Sequence, residues 1–204
     1  MRLFYFSILI LSTIIAHAGV VEITKGLAFV KVKENGKTIR IQRNQNKDNY
    51  LNNTFALTSR PSPPFFIEPF SINDDIETYG ELEVLDFISK EKGIFIDARL
   101  SNWYKQSAIP SAVNIPFKIF LSDTDERTKI LESFGGKKTK DDWDFSNAKT
   151  LLFYCNGAWC GQSPTAINAL IEIGYPEDKM KYYRGGMQSW QLLGLTTIVP
   201  NGGK

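Results

Sequence analysis

Two cysteines, Cys155 and Cys160, are the residues whose type and spacing best suit covalent chemistry. A cysteine reacts as its thiolate, and the positive end of a helix lowers the pKa of a nearby thiol. The apolar run Leu151–Tyr154 predicts a buried parallel strand just before Cys155. Helical spacing begins at Ser163-Pro164, with serine suited to the N-cap and proline to the first helical position. We therefore expect Cys155 at the C-terminal end of a strand and facing a helix, where ligands collect in α/β folds.

Length and composition indicate one globular domain with an appendage. The chain has 204 residues, of which 43% are apolar and 23% are charged. The formal net charge is +2, and there is no basic helix or long run of lysine and arginine. We therefore predict no nucleic-acid partner.

The first 18 residues predict an export signal. Arg2 supplies the positive end, residues 3–15 are uncharged and apolar, and Ala16-His17-Ala18 fits a cleavage site after Ala18. The apolar stretch is shorter than the roughly 20 residues of a spanning helix, which disfavours the alternative of an uncleaved membrane anchor. We expect a periplasmic protein without stable membrane insertion after cleavage.

Cleavage of this signal would remove His17, the only histidine in the chain. Histidine-based zinc sites, Cys-His dyads and Ser-His-Asp triads each need an imidazole. The sequence therefore excludes these three kinds of site from the predicted mature protein.

Residues 19–77 predict an appendage made of a β-hairpin and a proline-rich strap. Residues 28–33 and 38–43 alternate with period two around Asn35-Gly36, a strong hairpin signal. The strap, residues 60–70, is too apolar for a free linker and is expected to pack across the main domain. Basic residues are frequent in the first part of this appendage: Lys25, Lys31, Lys33, Lys37, Arg40, Arg43, Lys47 and Arg60. They are either the solvated face of the hairpin or a docking surface for an acidic protein partner.

The main domain is predicted over residues 78–204 as an alternation of strands and helices. Thr78-x-x-Glu81 suits a capping box at the start of one helix, and residues 93–97 suit the next buried strand. Further helices are expected over residues 125–134 and from Gly186 onward. This alternation predicts an α/β fold with a central parallel sheet flanked by helices.

The segment from the strand at Leu151 through Arg184-Gly185-Gly186 resembles the rhodanese (sulfurtransferase) family. The resemblance extends to Asp97-Ala98-Arg99 and to residues 109–116, so it covers roughly residues 78–198. It implies a rhodanese-like fold in which Cys155 is the nucleophile that carries sulfur as a covalent persulfide, with no separate cofactor. Asp97 and Arg99 would then be supporting residues, either catalytic or as an ion pair that ties the strand end to neighbouring loops.

The cysteine loop, residues 155–163, departs from the family pattern because it is longer and carries no charge between its cysteine and Ser163. Phosphoryl transfer needs a cation at this place, which disfavours a phosphatase. Backbone N–H groups could still bind an anion or a persulfide. The predicted substrate-binding loop consists of Asn156, Gly157, Ala158, Trp159, Gly161, Gln162 and Ser163. Arg184 and Lys105 are the nearest candidate cations by topology.

Cys160 has two interpretations that the sequence leaves open. It is either a static disulfide partner of Cys155 or a resolving thiol that attacks a Cys155 persulfide, releases sulfide and leaves a disulfide. A zinc site is disfavoured because two thiolates leave the tetrahedral ligand set incomplete, so we predict no metal.

We therefore predict an exported sulfurtransferase that moves sulfane sulfur from a donor such as thiosulfate or polysulfide, through a Cys155 persulfide, to a thiol acceptor. The alternative is a non-catalytic module of the same fold that binds a partner or acts as a thiol redox element with a Cys155-Cys160 disulfide.

Overall fold

A parallel sheet of five strands lies at the centre of the protein. The structure is a computed structural model that describes residues 19–62, 64–140 and 142–200. The predicted export signal and its cleavage site lie outside the described residues. In chain order the strands are β1 (Phe29–Glu34), β2 (Lys37–Gln42), β3 (Glu77–Thr78), β4 (Ile94–Asp97), β5 (Val113–Asn114), β6 (Lys137–Lys138), β7 (Trp143–Asp144), β8 (Leu151–Tyr154) and β9 (Met180–Tyr183). The α-helices are α1 (Glu81–Ser89), α2 (Ser101–Gln106), α3 (Asp125–Ser133), α4 (Gln162–Glu172) and α5 (Gly186–Leu192).

The central sheet has the strand order β3-β9-β8-β4-β5, and all of its neighbouring strands are parallel. Strand β8 lies in the middle, and its four residues are fully buried. Helices on both faces explain why it is an unbroken apolar run rather than an alternating one. The predicted α/β fold with a central parallel sheet is confirmed.

Successive residues of β8 point to opposite faces of the sheet and so build two cores. Leu151 and Phe153 belong to the core that α3 and α4 cover. Leu152 and Tyr154 belong to the core that α1, α5 and the β1–β2 hairpin cover. The strand end that precedes Cys155 is therefore fixed from both sides.

The predicted hairpin is present, with β1 and β2 paired antiparallel around Asn35-Gly36. Both turn residues have positive φ, 49° and 77°, as a tight hairpin turn of this type needs. Val32 and Ile41 point inward and are buried, so the hairpin contributes to the second core. The division of the chain at residue 77 stays a prediction.

Two helices begin at residues other than those the sequence predicted. Helix α1 is capped at Gly80, whose N–H donates to the Glu83 carboxylate at 3.1 Å, because Thr78 is used in β3. Helix α4 begins at Gln162 with Gly161 as its N-cap. The predicted capping roles of Thr78 and Ser163 are therefore wrong.

Among residues 19–62, 64–140 and 142–200, no helix combines the length and the apolar character that crossing a membrane requires.

Candidate active site

The start of helix α5 holds the cysteine loop in place. Met187 N donates to the Cys155 carbonyl at 3.0 Å, and Gln188 N donates to the Asn156 carbonyl at 2.9 Å. Gly186 has a φ of 54°, and a Cβ built on it would lie 2.4 Å from the Cys155 oxygen. Only glycine therefore allows this close approach of α5 to the loop.

The two cysteines are buried side by side as free thiols, with 2% and 3% of their surface exposed. The Cys155 thiol donates to the Cys160 carbonyl at 2.9 Å. The Asn156 amide donates to Cys160 Sγ at 3.6 Å, and Cys160 Sγ donates to the Gln162 side-chain oxygen at the same distance. The loop thus brings together both predicted sulfur-bearing residues with two of the predicted loop residues.

The acidities of the two thiols differ from the sequence expectation. Burial, followed by the proximity of Cys160, raises the pKa of Cys155 well above its ordinary value. Hydrogen bonding from Cys155 lowers the pKa of Cys160 to about 7, although burial opposes this shift. The first proton that the pair loses therefore leaves near neutral pH, and in this geometry the resulting charge lies on Cys160 rather than on Cys155.

Asp97 and Arg99 form a buried ion pair, in agreement with the structural interpretation of these residues. Arg99 Nη2 lies 2.6 Å from Asp97 Oδ2 and also donates to the Ser107 carbonyl at 2.6 Å. The Tyr154 hydroxyl donates to the same carboxylate oxygen at 2.7 Å. Because Tyr154 directly precedes Cys155, this network ties the end of β8 to the neighbouring strand and loop.

A family model for the rhodanese-like domain matches residues 82–193, which is more than half of the chain. This chain belongs to the rhodanese-like domain family. No curated protein matches it.

Solved structures of this fold resemble the chain at low sequence identity. The BH2092 protein from Bacillus halodurans is 24% identical, with 57% of this chain and 72% of that chain covered and a TM-score of 0.41. A human single-domain sulfurtransferase is 16% identical, with 58% and 96% covered and a TM-score of 0.41. A thiosulfate sulfurtransferase from Pseudomonas aeruginosa is 17% identical, with 60% and 20% covered and a TM-score of 0.43.

The strap lies outside the matched rhodanese-like region and packs directly on the cysteine loop. Glu68 N donates to the Ala158 carbonyl at 2.8 Å. A Cβ built on Gly161 would lie 2.9 Å from the Glu68 carboxylate. The Phe65 ring meets the Trp159 ring edge-on, with 5.1 Å between centroids. The strap thus covers the part of the loop that leads into α4.

Of the two candidate cations, Arg184 binds the strap and Lys105 is exposed on α2. Arg184 donates to the Glu68 carbonyl at 2.7 Å and to the Pro69 carbonyl at 3.0 Å, so it anchors the strap. Lys105 is exposed in the last turn of α2. Neither residue lines the cavity beside the cysteine loop.

Sequence reasoning missed Arg60 and Gln188 as residues of the site. The Arg60 guanidinium lies 3.6 Å above the centre of the Trp159 ring. Gln188 accepts from Trp159 Nε1 at 2.7 Å and fixes the other side of that indole. In the sequence, Arg60 is only the last basic residue before a proline-rich run, and no local pattern singles out Gln188. Both residues contact Trp159 from distant parts of the chain, so local patterns could not predict these contacts.

A cavity of about 270 Å³ lies where the strap meets the cysteine loop. Its lining includes Arg60, Phe65, Trp103, Asn156 and Trp159. Within the described part of the chain, no group of three or more histidine, cysteine, aspartate or glutamate side chains is placed to hold a metal ion.

Proposed function

We propose that this protein is an exported sulfurtransferase that carries sulfane sulfur on Cys155. The observation that carries the proposal is the placement of Cys160 against Cys155 at the end of the central strand, where the Cys155 thiol donates to the Cys160 backbone carbonyl at 2.9 Å. Family membership supports sulfur transfer in general, and solved structures with sulfurtransferase names resemble the chain. No cofactor beyond the covalent persulfide is needed for this chemistry.

The paired thiols support activation of the buried nucleophile. The Cys160 thiolate takes the proton of Cys155, so that the single negative charge moves to Cys155 when a donor arrives. Cys155 then attacks the sulfane sulfur, the bond between that sulfur and the rest of the donor breaks, and the leaving group departs with the electron pair. With thiosulfate the products are a Cys155 persulfide and sulfite. A thiolate acceptor next attacks the outer sulfur and regenerates the Cys155 thiolate.

The loop amides from Asn156 to Gln162 would stabilise the negative charge of the donor and of the persulfide. Asp97 and Arg99 act through position, because their ion pair holds the strand end that carries Cys155.

Intact mass of the reduced protein, before and after incubation with thiosulfate or polysulfide, tests this proposal. We expect the gain of one sulfur atom in the wild type and in Cys160→Ser, and no gain in Cys155→Ser. Cys160→Ser is the matched control, because it removes the neighbouring thiol and keeps the proposed carrier. Reduced wild-type protein that never gains sulfur would contradict the proposal.

A resolving role for Cys160 is a second candidate, favoured by its pKa of about 7. A thiol with a pKa near the ambient pH attacks disulfide-like bonds most efficiently. Cys160 would attack Cys155 Sγ in the persulfide, hydrosulfide would leave, and an external dithiol would supply the two electrons that reduce the new disulfide. Sulfide release in step with disulfide formation is expected from the wild type. Cys160→Ser should keep its persulfide and release no sulfide.

The non-catalytic alternative is a partner-binding or redox module with a resting Cys155-Cys160 disulfide. This alternative predicts that the purified protein is lighter than the reduced protein by two hydrogen atoms. It also predicts that the protein takes up no sulfur after reduction. An acidic protein partner at the basic hairpin belongs to this alternative and also stays a proposal.

Export is part of the proposed function. The expected result is that N-terminal sequencing of protein from the periplasm begins at Gly19. Protein recovered only in the cytoplasm with residues 1–18 intact would contradict it.

A further inference from the structure

Both thiols of the cysteine pair are closed off from solvent. Cys155 is 2% exposed and Cys160 is 3% exposed. The two cavities beside the strap are lined by Trp159 but by neither cysteine. A sulfur donor must come within bonding distance of Cys155 Sγ, so part of the protein has to move before the proposed reaction can start.

The second half of the strap, residues 64–70, forms the outer cover of the cysteine loop, and we call it the lid segment. Its Glu68 N donates to the Ala158 carbonyl at 2.8 Å. The Glu68 carboxylate also lies against Gly161, where an added Cβ would be 2.9 Å from it. The lid segment therefore contacts the loop on both sides of Cys160.

The lid segment is attached through few side chains. It forms neither helix nor strand, and only Phe65 and Glu68 are partly buried. Phe65 packs edge-on against Trp159, with 5.1 Å between ring centroids. The other apolar side chains of the segment are exposed: Phe66, Ile67 and Phe70. A segment with so little buried surface opens at a low cost in free energy.

The other elements around the cysteine loop are held more firmly. Strand β8 is fully buried in the middle of the sheet. Helix α5 is bonded to the loop through Met187 N and Gln188 N. Among the described residues, only one backbone-to-backbone hydrogen bond joins the lid segment to the loop, from Glu68 to Ala158. The lid segment is therefore the part of the cover that can move most easily.

Arg184 makes the strongest polar contacts with the lid segment. Its Nη2 donates to the Glu68 carbonyl at 2.7 Å, and its Nε donates to the Pro69 carbonyl at 3.0 Å. Arg184 follows β9 directly, so its backbone is fixed by the sheet. Hydrogen bonds from a charged donor contribute more than neutral ones. This side chain therefore biases the segment towards its closed position.

We propose that residues 64–70 are a lid that opens over the cysteine pair, and that Arg184 holds this lid closed. Opening breaks the hydrogen bonds of Glu68 with Arg184 and Ala158 and separates Phe65 from Trp159. Residues 158–161 are then free to uncover the two thiols. The inference rests on the proposed function for the reaction that the lid admits, whereas its test uses a reagent that needs no sulfur transfer.

The rate at which iodoacetamide alkylates the reduced protein, followed by intact mass, tests the lid. We expect Arg184→Gln to raise this rate roughly 10- to 100-fold, because loss of hydrogen bonds from a charged donor shifts the opening equilibrium by about that factor. Phe65→Ala should raise the rate as well, because it removes the contact with Trp159.

Arg43→Gln is the matched control. Arg43 also joins the appendage to the main domain through a backbone carbonyl, that of Leu193 at 2.8 Å, but it lies outside the lid segment. This variant should leave the alkylation rate unchanged. Equal acceleration in Arg43→Gln and Arg184→Gln would overturn the lid, because general loosening of the appendage would then be the cause.

Two properties of the reaction separate access from other effects. Loss of the Arg184 charge alone would make a nearby thiol harder to ionise and would slow alkylation, so faster alkylation reports access. The rate should also depend little on urea below the unfolding transition, because opening seven residues exposes little surface. A steep dependence would overturn the lid, since the thiols would then react only from unfolded protein.

Hydrogen exchange of the Glu68 amide, followed by NMR, reports opening directly, because this amide donates to the Ala158 carbonyl. Arg184→Gln should accelerate exchange there by the same factor as alkylation and leave the amides of β8 unchanged. Faster exchange at Glu68 with unchanged alkylation would overturn the proposal, because the segment would then open without uncovering the thiols.

The outcomes also separate this inference from the proposed function. If Arg184→Gln is alkylated faster as expected but the reduced wild type never gains sulfur, the lid stands and the sulfurtransferase is overturned. If the wild type gains sulfur on Cys155 but Arg184→Gln is alkylated no faster than the wild type, the lid is overturned and the sulfurtransferase stands.

Discussion

At the scale of single residues, the site depends on two thiols that share one negative charge near neutral pH. Cys155 is buried and hard to ionise, whereas Cys160 is held near a pKa of 7 by hydrogen bonding from its neighbour. The resemblance of the sequence to the rhodanese family implied Cys155 as the nucleophile, and the predicted strand before it placed it where ligands collect in α/β folds. It could not predict which thiol ionises first, because that depends on burial and on contacts across the loop.

This pair predicts a specific dependence of stability on pH. The pKa of Cys160 falls from 9.0 to about 7 in the folded protein, so the folded state binds fewer protons than the unfolded state between these values. The free energy of unfolding should therefore rise as the pH increases from about 7 to 9, and this gain should be absent below pH 7.

Urea unfolding at several pH values measures this effect, with Cys160→Ser as the comparison. The difference in unfolding free energy between wild type and variant should grow across the window. Curves that stay parallel from pH 6 to 9 would show that Cys160 has no lowered pKa.

Substitution of Ser163 tests whether this residue lies inside α4, as the structure shows, or caps the helix, as the sequence predicted. Its side chain is buried, and its hydroxyl has no partner while Cys155 is protonated. When Cys155 ionises, the Ser163 hydroxyl and backbone amide lower the pKa of that thiol. We expect Ser163→Ala to change the unfolding free energy by less than about 0.5 kcal/mol, because no made hydrogen bond is lost. Sulfur uptake should nevertheless become slower.

Urea unfolding and intact-mass kinetics on the same sample check both parts. An N-cap role predicts a loss of about 1 kcal/mol on this substitution, so a loss of that size would contradict the observed helix start.

At the scale of elements, α5 lies so close to the cysteine loop that one added methyl group on Gly186 should disturb both. Gly186→Ala places a carbon 2.4 Å from the Cys155 carbonyl oxygen, so the helix or the loop must move. We expect loss of most sulfur uptake together with a lower melting temperature.

The control for this substitution is Gly174→Ala at the end of α4. Gly174 also has a positive φ, 81°, but a Cβ there would meet nothing within 4 Å. This variant should lose only about 1 kcal/mol from the backbone conformation and keep its sulfur uptake. Equal losses of uptake in the two variants would show that loop displacement is not the cause.

The longer strands and most helices could be predicted because their signals are local, whereas the two-residue strands β3, β5, β6 and β7 were not predicted. Buried apolar runs gave β4 and β8, and Asn35-Gly36 gave the hairpin turn. The cap of α1 could not be read in the same way. Thr78 suits a cap by its chemistry, but pairing with Tyr182 of β9 places it in the sheet, and Gly80 takes the capping position. Long-range pairing therefore overrode a local preference.

At the scale of the whole molecule, the sequence did not reveal the contacts between the strap and the cysteine loop, because these segments are far apart in the chain. The strap reaches the loop through contacts such as Glu68 with Ala158, which lie ninety positions apart. Periodicity indicates that a segment is buried, but it does not say against which surface. Arg60 was therefore counted among the basic residues of the appendage and not among those of the site.

The hairpin presents two different faces, which predict opposite sensitivities to substitution. Ile41 is fully buried, so Ile41→Ala should lower the unfolding free energy by about 2–5 kcal/mol. Lys31 on the outer face is exposed, and Lys31→Ala should change it by less than about 0.5 kcal/mol. Urea unfolding of the two variants measures the difference. A small effect of Ile41→Ala would mean that the hairpin does not contribute to the core.

The hairpin is also joined to the segment that follows α5. Thr196 N donates to the Gln42 carbonyl at 3.0 Å, and Asn44 N donates to the Gly194 carbonyl at 2.7 Å. Between them, the backbones of Arg43 and Leu195 form an isolated antiparallel β-bridge. During translation, β1 and β2 are synthesised long before residues 194–196. The hydrogen bonds between the hairpin and this segment can therefore form only when nearly all of the chain has been synthesised. The strap that carries Arg60 follows the hairpin directly in the chain. A chain that ends after α4 would therefore contain both cysteines but lack the residues that hydrogen-bond the hairpin at 42–44.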